Sequence, residues 1–168
     1  MTVTLVLGGA RSGKSALAER LAAAGPEPVT YVATAGPASD DADLAARIAA
    51  HRARRPPAWT TVEVDGDELV GALAASRGTV LVDSLTTWVA GAPGFVVNVD
   101  GLCRALADPA SASDTVVVSD EVGLGVHPST DAGRRFRDAL GLVNQAVADV
   151  ADDVVLVVAG RALHLDRV

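Results

Sequence analysis

The chain has 168 residues, of which 49% are hydrophobic and only 3% aromatic, and its formal net charge is −7. This length predicts one domain over residues 1–168, with a core built mainly from Ala, Val and Leu, as in a parallel sheet covered by helices. The acidic balance, with a pI near 4.8, excludes a broad nucleic-acid-binding or anionic-membrane surface.

The first predicted element is a strand that leads into a glycine-rich loop. Apolar residues run from Thr2 to Leu7, the sequence GGARSGKS follows at Gly8–Ser15, and a helical pattern continues to Leu21. This succession of strand, loop and helix is the context that a phosphate-binding loop G-x-x-x-x-G-K-[ST] requires. The alternative, a chance glycine-rich turn, does not account for the elements on either side.

The loop residues have separate predicted roles in binding a nucleotide. Gly8 and Gly13 let the backbone approach the phosphates closely, and the backbone N–H groups at the helix N-terminus attract anions. Lys14, the only lysine among the 14 basic residues, is predicted to reach the β- and γ-phosphates, and the Ser15 hydroxyl to bind Mg²⁺. The predicted nucleotide-binding residues of the loop are Gly8, Gly9, Ala10, Arg11, Ser12, Gly13, Lys14 and Ser15.

An arginine-rich segment follows the second predicted strand, Val29–Ala33. A helix is predicted from Asp40 to Arg55, and Pro56 ends it. Four arginines and no acid lie between Arg47 and Arg55. Such a run is commonly a solvated helix face, but without acidic partners it favours phosphate binding, for which the arginine fork is suited.

His51 lies inside this arginine-rich segment. Neutral imidazole is a nucleophile near neutral pH, so His51 is a candidate to attack an α-phosphate and form a phosphoramidate. Taken alone, a single histidine is more often a packing or capping residue than a nucleophile. His127 and His164 lack comparable surroundings, and no metal cluster is predicted from the three histidines.

Two later strands are predicted to end in acids. Thr79–Val82 is followed by Asp83, in the place where phosphate-loop proteins hold Mg²⁺ directly or through water. The alternative role of Asp83 is to cap a helix. Thr115–Val118 leads to Asp120 and Glu121, either of which is a candidate to orient a nucleophile or water near the γ-phosphate.

The remaining pattern completes an α/β fold. Helices are predicted for Asp67–Ala75 and Asp131–Val150, a loop for Gly91–Val99 and a last strand for Val154–Ala159. Strands that alternate with helices predict a mostly parallel sheet with helices on both faces.

The sequence also bears on the cellular compartment. The single cysteine, Cys103, excludes an intrachain disulfide and a cysteine-based zinc site. The first apolar run breaks at Gly8, which does not fit a secretory signal, and no stretch of about 18 apolar residues marks a transmembrane helix. We therefore expect a cytoplasmic protein with no membrane span.

Seven segments, in order along nearly the whole chain, resemble the bifunctional adenosylcobinamide kinase / adenosylcobinamide-phosphate guanylyltransferase family of cobalamin biosynthesis. A phosphate loop is shared by many families, whereas the patterns R-I-x-x-H-x-x-x-R-P, E-V-G-x-G and F-R-D…G-x-x-N-Q are specific. The segments are GGARSGKS at Gly8–Ser15, TYVATA at Thr30–Ala35, RIAAHRARRPPAW at Arg47–Trp59, VEV around Glu63, LVDSLTTWV at Leu81–Val89, DEVGLGVHP at Asp120–Pro128 and GRRFRDALGLVNQAVADVADDVVLVVAG at Gly133–Gly160.

The resemblance implies a RecA-like P-loop NTPase fold, commonly assembled as a homotrimer, and two reactions. Adenosylcobinamide is first phosphorylated by ATP or GTP, and GMP from GTP is then attached to that phosphate through a guanylylated histidine, giving adenosyl-GDP-cobinamide and pyrophosphate. By position, that histidine is His51. The positions that match the family's contacts to the guanine nucleotide or its metal are Gly8–Ser15, Ala33, Thr34, Ala35, Arg52, Ala53, Arg54, Arg55, Glu63 and Asp83.

Two features depart from the family pattern. The chain is shorter than expected between Val89 and Thr115, where Gly91–Gly94 replaces more helical sequence, and His127 stands where an apolar residue is usual. These departures concern the subunit interface and the corrinoid pocket rather than the nucleotide site.

Two other functions stay open from the sequence. One is a monofunctional P-loop small-molecule kinase in which His51 and its arginines only close over the phosphates. The other is a nucleotide-dependent switch. Such a switch would carry a base-specificity motif such as N-K-x-D. This chain lacks that motif, because its only lysine is Lys14, in the phosphate loop. Covalent retention of label from α-labelled GTP would distinguish the bifunctional enzyme from both.

Overall fold

The computed structural model describes residues 1–34, 55–111 and 113–168. The described residues form a seven-stranded sheet, in which six strands run parallel and the last pairs antiparallel with its neighbour. The strands are β1 (Val3–Gly8), β2 (Val29–Ala33), β3 (Thr60–Glu63), β4 (Gly78–Asp83), β5 (Ser113–Asp120), β6 (Asp153–Val158) and β7 (Arg161–His164). Their order across the sheet is β3-β2-β4-β5-β1-β6-β7.

Five α-helices and a short 3₁₀ helix accompany the sheet in the described ranges. They are α1 (Lys14–Ala24), α2 (Glu68–Ala75), α3 (Leu85–Gly91), the 3₁₀ helix (Pro93–Phe95), α4 (Val99–Leu106) and α5 (Asp131–Val150). Helix α1 packs on one face of the sheet, while α2 to α5 pack on the other. Among the described residues, no helix is both long and apolar enough to cross a membrane.

Both faces of the sheet bury small aliphatic side chains, as the composition predicts. On the α1 face, Ala18 and Ala22 of the helix lie against Val6, Leu81 and Val116 of the strands. The other face holds the larger cluster, which consists almost entirely of Val and Leu. Because the central strands are covered on both faces, their apolar runs are nearly continuous.

The predicted elements agree with the structure over most of the chain that it describes. The five predicted strands are β1, β2, β4, β5 and β6, and the helix predicted at Asp131–Val150 is α5 to the residue. The helix predicted from Asp67 begins one residue later, and the predicted loop at Gly91–Val99 contains the 3₁₀ helix. The strands β3 and β7 and the helices α3 and α4 are additions. The helix predicted for Asp40–Arg55 falls almost wholly outside the described residues.

Candidate active site

The phosphate loop connects β1 directly to α1. Helix α1 begins at Lys14, and Gly13 precedes it with a φ of 99°, a left-handed conformation that favours glycine. Arg11 also has a positive φ, of 57°. The first N–H groups of α1 have no intrahelical partner and point out of the helix end, so this turn presents donors and a positive dipole end to an anion.

The loop is packed too tightly to admit a side chain at Gly8. A Cβ built there would lie 2.5 Å from the Ser12 Oγ and 2.6 Å from the carbonyl oxygen of Val157 on β6. Ser12 is itself buried, and its Oγ accepts a hydrogen bond from the Lys14 N–H at 3.3 Å. Ser12 and the backbone of β6 therefore leave no room for a residue larger than glycine at position 8.

The turn between β6 and β7 supports the loop from the strand next to β1. Ala159 and Gly160 form this turn with positive φ angles of 50° and 73°, and the Gly160 N–H donates to the carbonyl oxygen of Ser12 at 2.8 Å. Gly160 is a supporting residue that the sequence reasoning did not identify.

Lys14 is held by a carboxylate of the neighbouring strand. Its Nζ lies 2.6 Å from the Asp120 Oδ1 and donates to the Gly9 carbonyl oxygen at 3.2 Å. The Asp120 backbone is fixed on two sides, because its N–H donates to the Thr86 Oγ1 at 2.8 Å and its carbonyl accepts from the Asn144 Nδ2 at 3.1 Å. Of the two predicted acids at the end of β5, Asp120 is thus the one whose side chain contacts the phosphate loop.

The Glu121 side chain makes a local contact instead. Its Oε1 accepts a hydrogen bond from the Gly123 N–H at 2.7 Å, and its own N–H donates to the Gly8 carbonyl at 3.2 Å. These contacts shape the turn that follows β5.

Asp83 ends β4 at the same edge of the sheet as the phosphate loop. It lies in register with Ala33 of β2, and Ala33 is in turn in register with Glu63 of β3. Three of the predicted site residues are therefore neighbours across three strands.

Helix capping does not explain Asp83. The N-cap of α3 is Ser84, whose Oγ accepts from the Thr87 N–H, while the Thr87 side chain accepts from the Ser84 N–H. This reciprocal capping box satisfies the free donors of the helix end. The alternative role considered for Asp83 thus belongs to the residue after it.

Thr34 supports this cap with its side chain. Its hydroxyl is buried, donates to the Ser84 carbonyl at 2.5 Å and lies 2.7 Å from the Thr87 Oγ1. A side chain used in this way leaves only the Thr34 backbone for the predicted contact with a nucleotide.

Tyr31 is a site residue that the sequence reasoning missed. Its hydroxyl donates to the Asp83 Oδ2 at 2.5 Å, and the Arg55 guanidinium carbon lies 3.3 Å from the centre of its ring. Burial, and then the Asp83 carboxylate, raise the pKa of Tyr31 above its ordinary value. The available signal was that this is the only tyrosine in the chain, two residues before the predicted contact at Ala33.

Arg55 and Glu63 line an open cavity of about 430 Å³ beside β3, together with Pro56, Pro57, Trp59 and Thr61. The Arg55 Nη1 donates to the Thr61 Oγ1 at 3.4 Å. An arginine, a carboxylate and an indole around one cavity offer the hydrogen bonds and the apolar surface that a nucleotide needs.

Ser15 and Asp83 fit a magnesium site of the kind that depends on substrate. Across residues 1–34, 55–111 and 113–168, no three His, Cys, Asp or Glu side chains cluster as metal ligands. Mg²⁺ in nucleotide sites takes one or two protein oxygens and fills its shell with phosphates and water. The Ser15 hydroxyl in the first turn of α1 and the Asp83 carboxylate at the same edge supply such oxygens.

Several predicted site residues lie outside the described part of the chain. They are Ala35, the candidate nucleophile His51, and Arg52, Ala53 and Arg54. Their predicted roles stay predictions.

The chain matches one family over nearly its whole length. A sequence model described as "Cobinamide kinase / cobinamide phosphate guanyltransferase" matches residues 4–165. The bifunctional adenosylcobalamin biosynthesis protein CobP of Pseudomonas aeruginosa is 40% identical, with 96% of this chain and 95% of that protein covered. The bifunctional adenosylcobalamin biosynthesis protein CobU of Escherichia coli K12 is 37% identical, with 96% and 98% covered. That alignment spans 180 positions and therefore includes gaps in this chain.

Solved structures of low sequence identity share the fold. The flagellar accessory protein FlaH of Methanocaldococcus jannaschii superposes with a TM-score of 0.52 at 17% identity, covering 98% of this chain and 78% of that protein. An ATPase of a bacterial type III secretion system gives a TM-score of 0.55 at 11% identity, covering 92% of this chain and 50% of its own. These likenesses agree with the predicted P-loop NTPase architecture.

Proposed function

Since the chain belongs to the cobinamide kinase / cobinamide phosphate guanyltransferase family, we propose that it carries out both reactions of that family at the phosphate loop and the adjacent sheet edge. It phosphorylates adenosylcobinamide, and it then transfers GMP from GTP to the new phosphate, giving adenosyl-GDP-cobinamide. The observation that carries this assignment is a complete phosphate loop, with Lys14 held at its centre by Asp120, in a chain matched from residue 4 to residue 165.

In the kinase reaction, the acceptor hydroxyl oxygen forms a bond to the γ-phosphorus of ATP or GTP. The bond between that phosphorus and the β,γ-bridging oxygen breaks, the nucleoside diphosphate leaves, and the hydroxyl proton is released. Lys14 and the N–H groups of the α1 turn stabilise the negative charge that moves onto the bridging and terminal oxygens.

Ser15 and Asp83 are the residues that hold Mg²⁺ in this proposal. When bound, the ion supplies Lewis-acid stabilisation of phosphate charge and helps to orient the triphosphate. The β1–β5–β4 order separates the loop strand from the Asp83 strand by two strand spacings, roughly 10 Å, with Asp120 of β5 and its partner Lys14 between them.

In the guanylyltransferase reaction, we assign His51 as the nucleophile. Its imidazole nitrogen forms a bond to the α-phosphorus of GTP, the α,β-bridging P–O bond breaks, and pyrophosphate leaves as the imidazole gives up its proton. A phosphate oxygen of adenosylcobinamide phosphate then attacks the same phosphorus and releases His51. Arg52, Arg54 and Arg55 are assigned to offset the charge of the departing pyrophosphate.

Labelled GTP tests the covalent step. The wild-type protein, incubated with Mg²⁺ and GTP labelled at the α-phosphate, is expected to retain label after denaturation at alkaline pH and to lose it in acid, whereas label at the γ-phosphate should not be retained. His51→Ala should abolish retention and guanylyl transfer. His164→Ala is the matched control, because His164 of β7 pairs with Asp153 at the start of β6, away from the phosphate loop.

The competing function is the monofunctional kinase without a covalent intermediate. It would be the better account if the wild-type protein turned over GTP and adenosylcobinamide yet took up no α-label. The family membership favours the bifunctional enzyme over this alternative.

The wider setting follows from the same assignment. We propose that the substrates are ATP, GTP, adenosylcobinamide and its phosphate, that no nucleic acid takes part, and that the enzyme works in the cytoplasm as a homo-oligomer, with the trimer as the first state to test. Sedimentation of the purified protein would measure that state directly.

A further inference from the structure

We propose that Tyr31 is a positioning residue of the nucleotide site, which orients the metal-binding carboxylate of Asp83 through its hydroxyl and the side chain of Arg55 through its ring. The inference rests on the proposed function for two assignments, Asp83 as a magnesium ligand and Arg55 as a phosphate-binding residue. Tyr31 does not touch the reacting atoms in this account and acts through its two neighbours.

The Tyr31 hydroxyl contacts the Asp83 carboxylate. Tyr31 is 3% exposed, and its O–H donates to the Asp83 Oδ2 at 2.5 Å from the adjacent strand. A hydrogen bond from a buried, rigid donor fixes the plane of a carboxylate on a strand end. Outer-sphere partners of this kind orient metal ligands and are costly to remove.

The Tyr31 ring contacts the Arg55 guanidinium. Arg55 lies 3.3 Å from the centre of the Tyr31 ring, and its Nη1 also reaches the Thr61 Oγ1. Stacking of this type holds the planar guanidinium in one orientation. Because Arg55 also lines the cavity beside β3, the stacked position fixes a phosphate-binding group at the mouth of that cavity.

The Tyr31 side chain makes both contacts. The Asp83 carboxylate and the Arg55 guanidinium do not have to find their positions independently, because the same buried ring defines both. Losing only the hydroxyl should affect the metal, whereas losing the whole ring should affect the metal and the nucleotide.

Two substitutions separate the two contacts. Tyr31→Phe keeps the ring and removes the hydroxyl, while Tyr31→Leu removes both. Thr79→Val is the matched control: it also deletes a buried hydroxyl that is hydrogen-bonded, to the Pro26 carbonyl at 2.7 Å, but at the opposite end of β4. Thermal unfolding followed by circular dichroism verifies that each variant is folded.

The primary readout is metal binding rather than activity. Mn²⁺ is titrated into the full chain saturated with the α,β-methylene analogue of GTP, which resists cleavage at the α-phosphate, and free Mn²⁺ is measured by electron paramagnetic resonance. Tyr31→Phe is expected to weaken Mn²⁺ binding by about tenfold and to leave metal-free binding of the analogue unchanged. Tyr31→Leu is expected to weaken both, and Thr79→Val neither.

The outcomes distinguish this inference from the assignment on which it rests. Wild-type Mn²⁺ affinity in Tyr31→Phe, with weakened affinity in Asp83→Asn, overturns the role of Tyr31 alone. Wild-type affinity in both variants shows that Asp83 is not a metal ligand and removes the role of Tyr31 with it. Equal weakening of Mn²⁺ binding by Tyr31→Phe and Thr79→Val also overturns the inference, because it would mark a general loss of packing.

Discussion

Among single residues, Lys14 is the only lysine in the chain and forms an ion pair inside the candidate site. Its ammonium lies between Asp120 and the Gly9 carbonyl, with 12% of its side chain exposed. A lysine held in this way loses little conformational entropy when a phosphate arrives, because its side chain is already ordered. Asp120 therefore holds Lys14 in position, and a bound phosphate would be a second anion beside the same ammonium group.

Lys14→Ala is expected to lower the rate of adenosylcobinamide phosphorylation by a factor on the order of 10² or more, since it removes a charge that stabilises the transferring phosphoryl group. The fold should persist, because the substitution leaves the backbone contacts of the loop in place. Steady-state phosphorylation with circular dichroism checks both statements. Arg20→Ala, an exposed change on the same helix, should have little effect, and near-normal activity in folded Lys14→Ala would refute the role of the loop.

Asp83→Asn is expected to raise the Mg²⁺ concentration needed for activity more than it weakens metal-free nucleotide binding. The amide keeps the shape of the carboxylate but removes the charge that anchors the metal. A magnesium titration of the kinase rate measures the change. Asp67→Asn serves as the control, because Asp67 is exposed and makes no side-chain cap to α2. An unaltered magnesium requirement in Asp83→Asn would contradict the assignment.

Some of the site residues could be predicted from the sequence, and others could not. Lys14 and Asp83 could be predicted because each stands at a fixed offset from an apolar strand. Asp120 could only be named together with Glu121, since the choice depends on which of the two side chains reaches Lys14. Tyr31 reads as an ordinary core residue of a strand, and only the pairing of β2 with β4 brings it to Asp83.

Among the elements, α3 shows how a short segment of weak helix formers becomes a helix. Its sequence LTTWVAG contains two threonines, a valine and a glycine, which have low helix propensity. The capping box at Ser84 and the burial of Leu85, Trp88 and Val89 compensate for that propensity. Helix α3 in turn supplies Thr86, which fixes the Asp120 backbone.

Ser84→Ala is therefore expected to lower the free energy of unfolding by about 1 kcal/mol, the usual effect of losing a serine N-cap. The effect is structural, because the cap donors of α3 lose their partner while Asp83 stays in place. Chemical denaturation measures the change. Asp83→Asn provides the comparison, since it should alter the magnesium requirement without a loss of this size in the same assay.

The strands that were missed share a physical reason. The strands β3 and β7 lie at the two edges of the sheet, have four residues each and are largely exposed. Edge strands need no continuous apolar run, so their sequences carry no strong period, and they form because a neighbour offers backbone hydrogen bonds. The five strands found from sequence are those that contribute buried side chains to the two cores.

For the whole molecule, the strand order is the property that sequence reasoning could not provide. The central strands are similar Val-rich and Leu-rich runs, and nothing within a run specifies its neighbour. The order places β5 between β1 and β4, and this non-local arrangement is what positions Asp120 beside Lys14. The fold class was predictable from the alternation of elements, whereas the geometry of the site depends on this order.

The stability of the molecule is expected to fall at alkaline pH because of Tyr31. Its pKa is raised in the folded state, so folding favours the protonated phenol; the resulting stability is complete below the unfolded pKa of about 10 and is lost as pH rises above it. We expect a loss of about 1.4 kcal/mol for each pH unit in that range. Denaturation in chelator-containing buffer between about pH 9 and about pH 12 measures it.

The tyrosinate absorbance reports the same event, because the chain has a single tyrosine. The band should appear only as the protein unfolds. Tyr31→Phe should lack this part of the pH dependence. A tyrosinate signal from the native protein near pH 10 would contradict the expected shift.

The hydrogen bond from the Gly160 N–H to the Ser12 carbonyl makes the preorganisation of the phosphate loop depend on the β6–β7 hairpin. This hairpin is distant from the loop in sequence but adjacent to β1 in the sheet. Fraying of β7 would free the turn that holds the Ser12 carbonyl, and the loop would then have to be ordered at the expense of binding energy. A protein fused in a way that strains the β6–β7 hairpin would thus disturb the phosphate loop, as a substitution within the loop itself would.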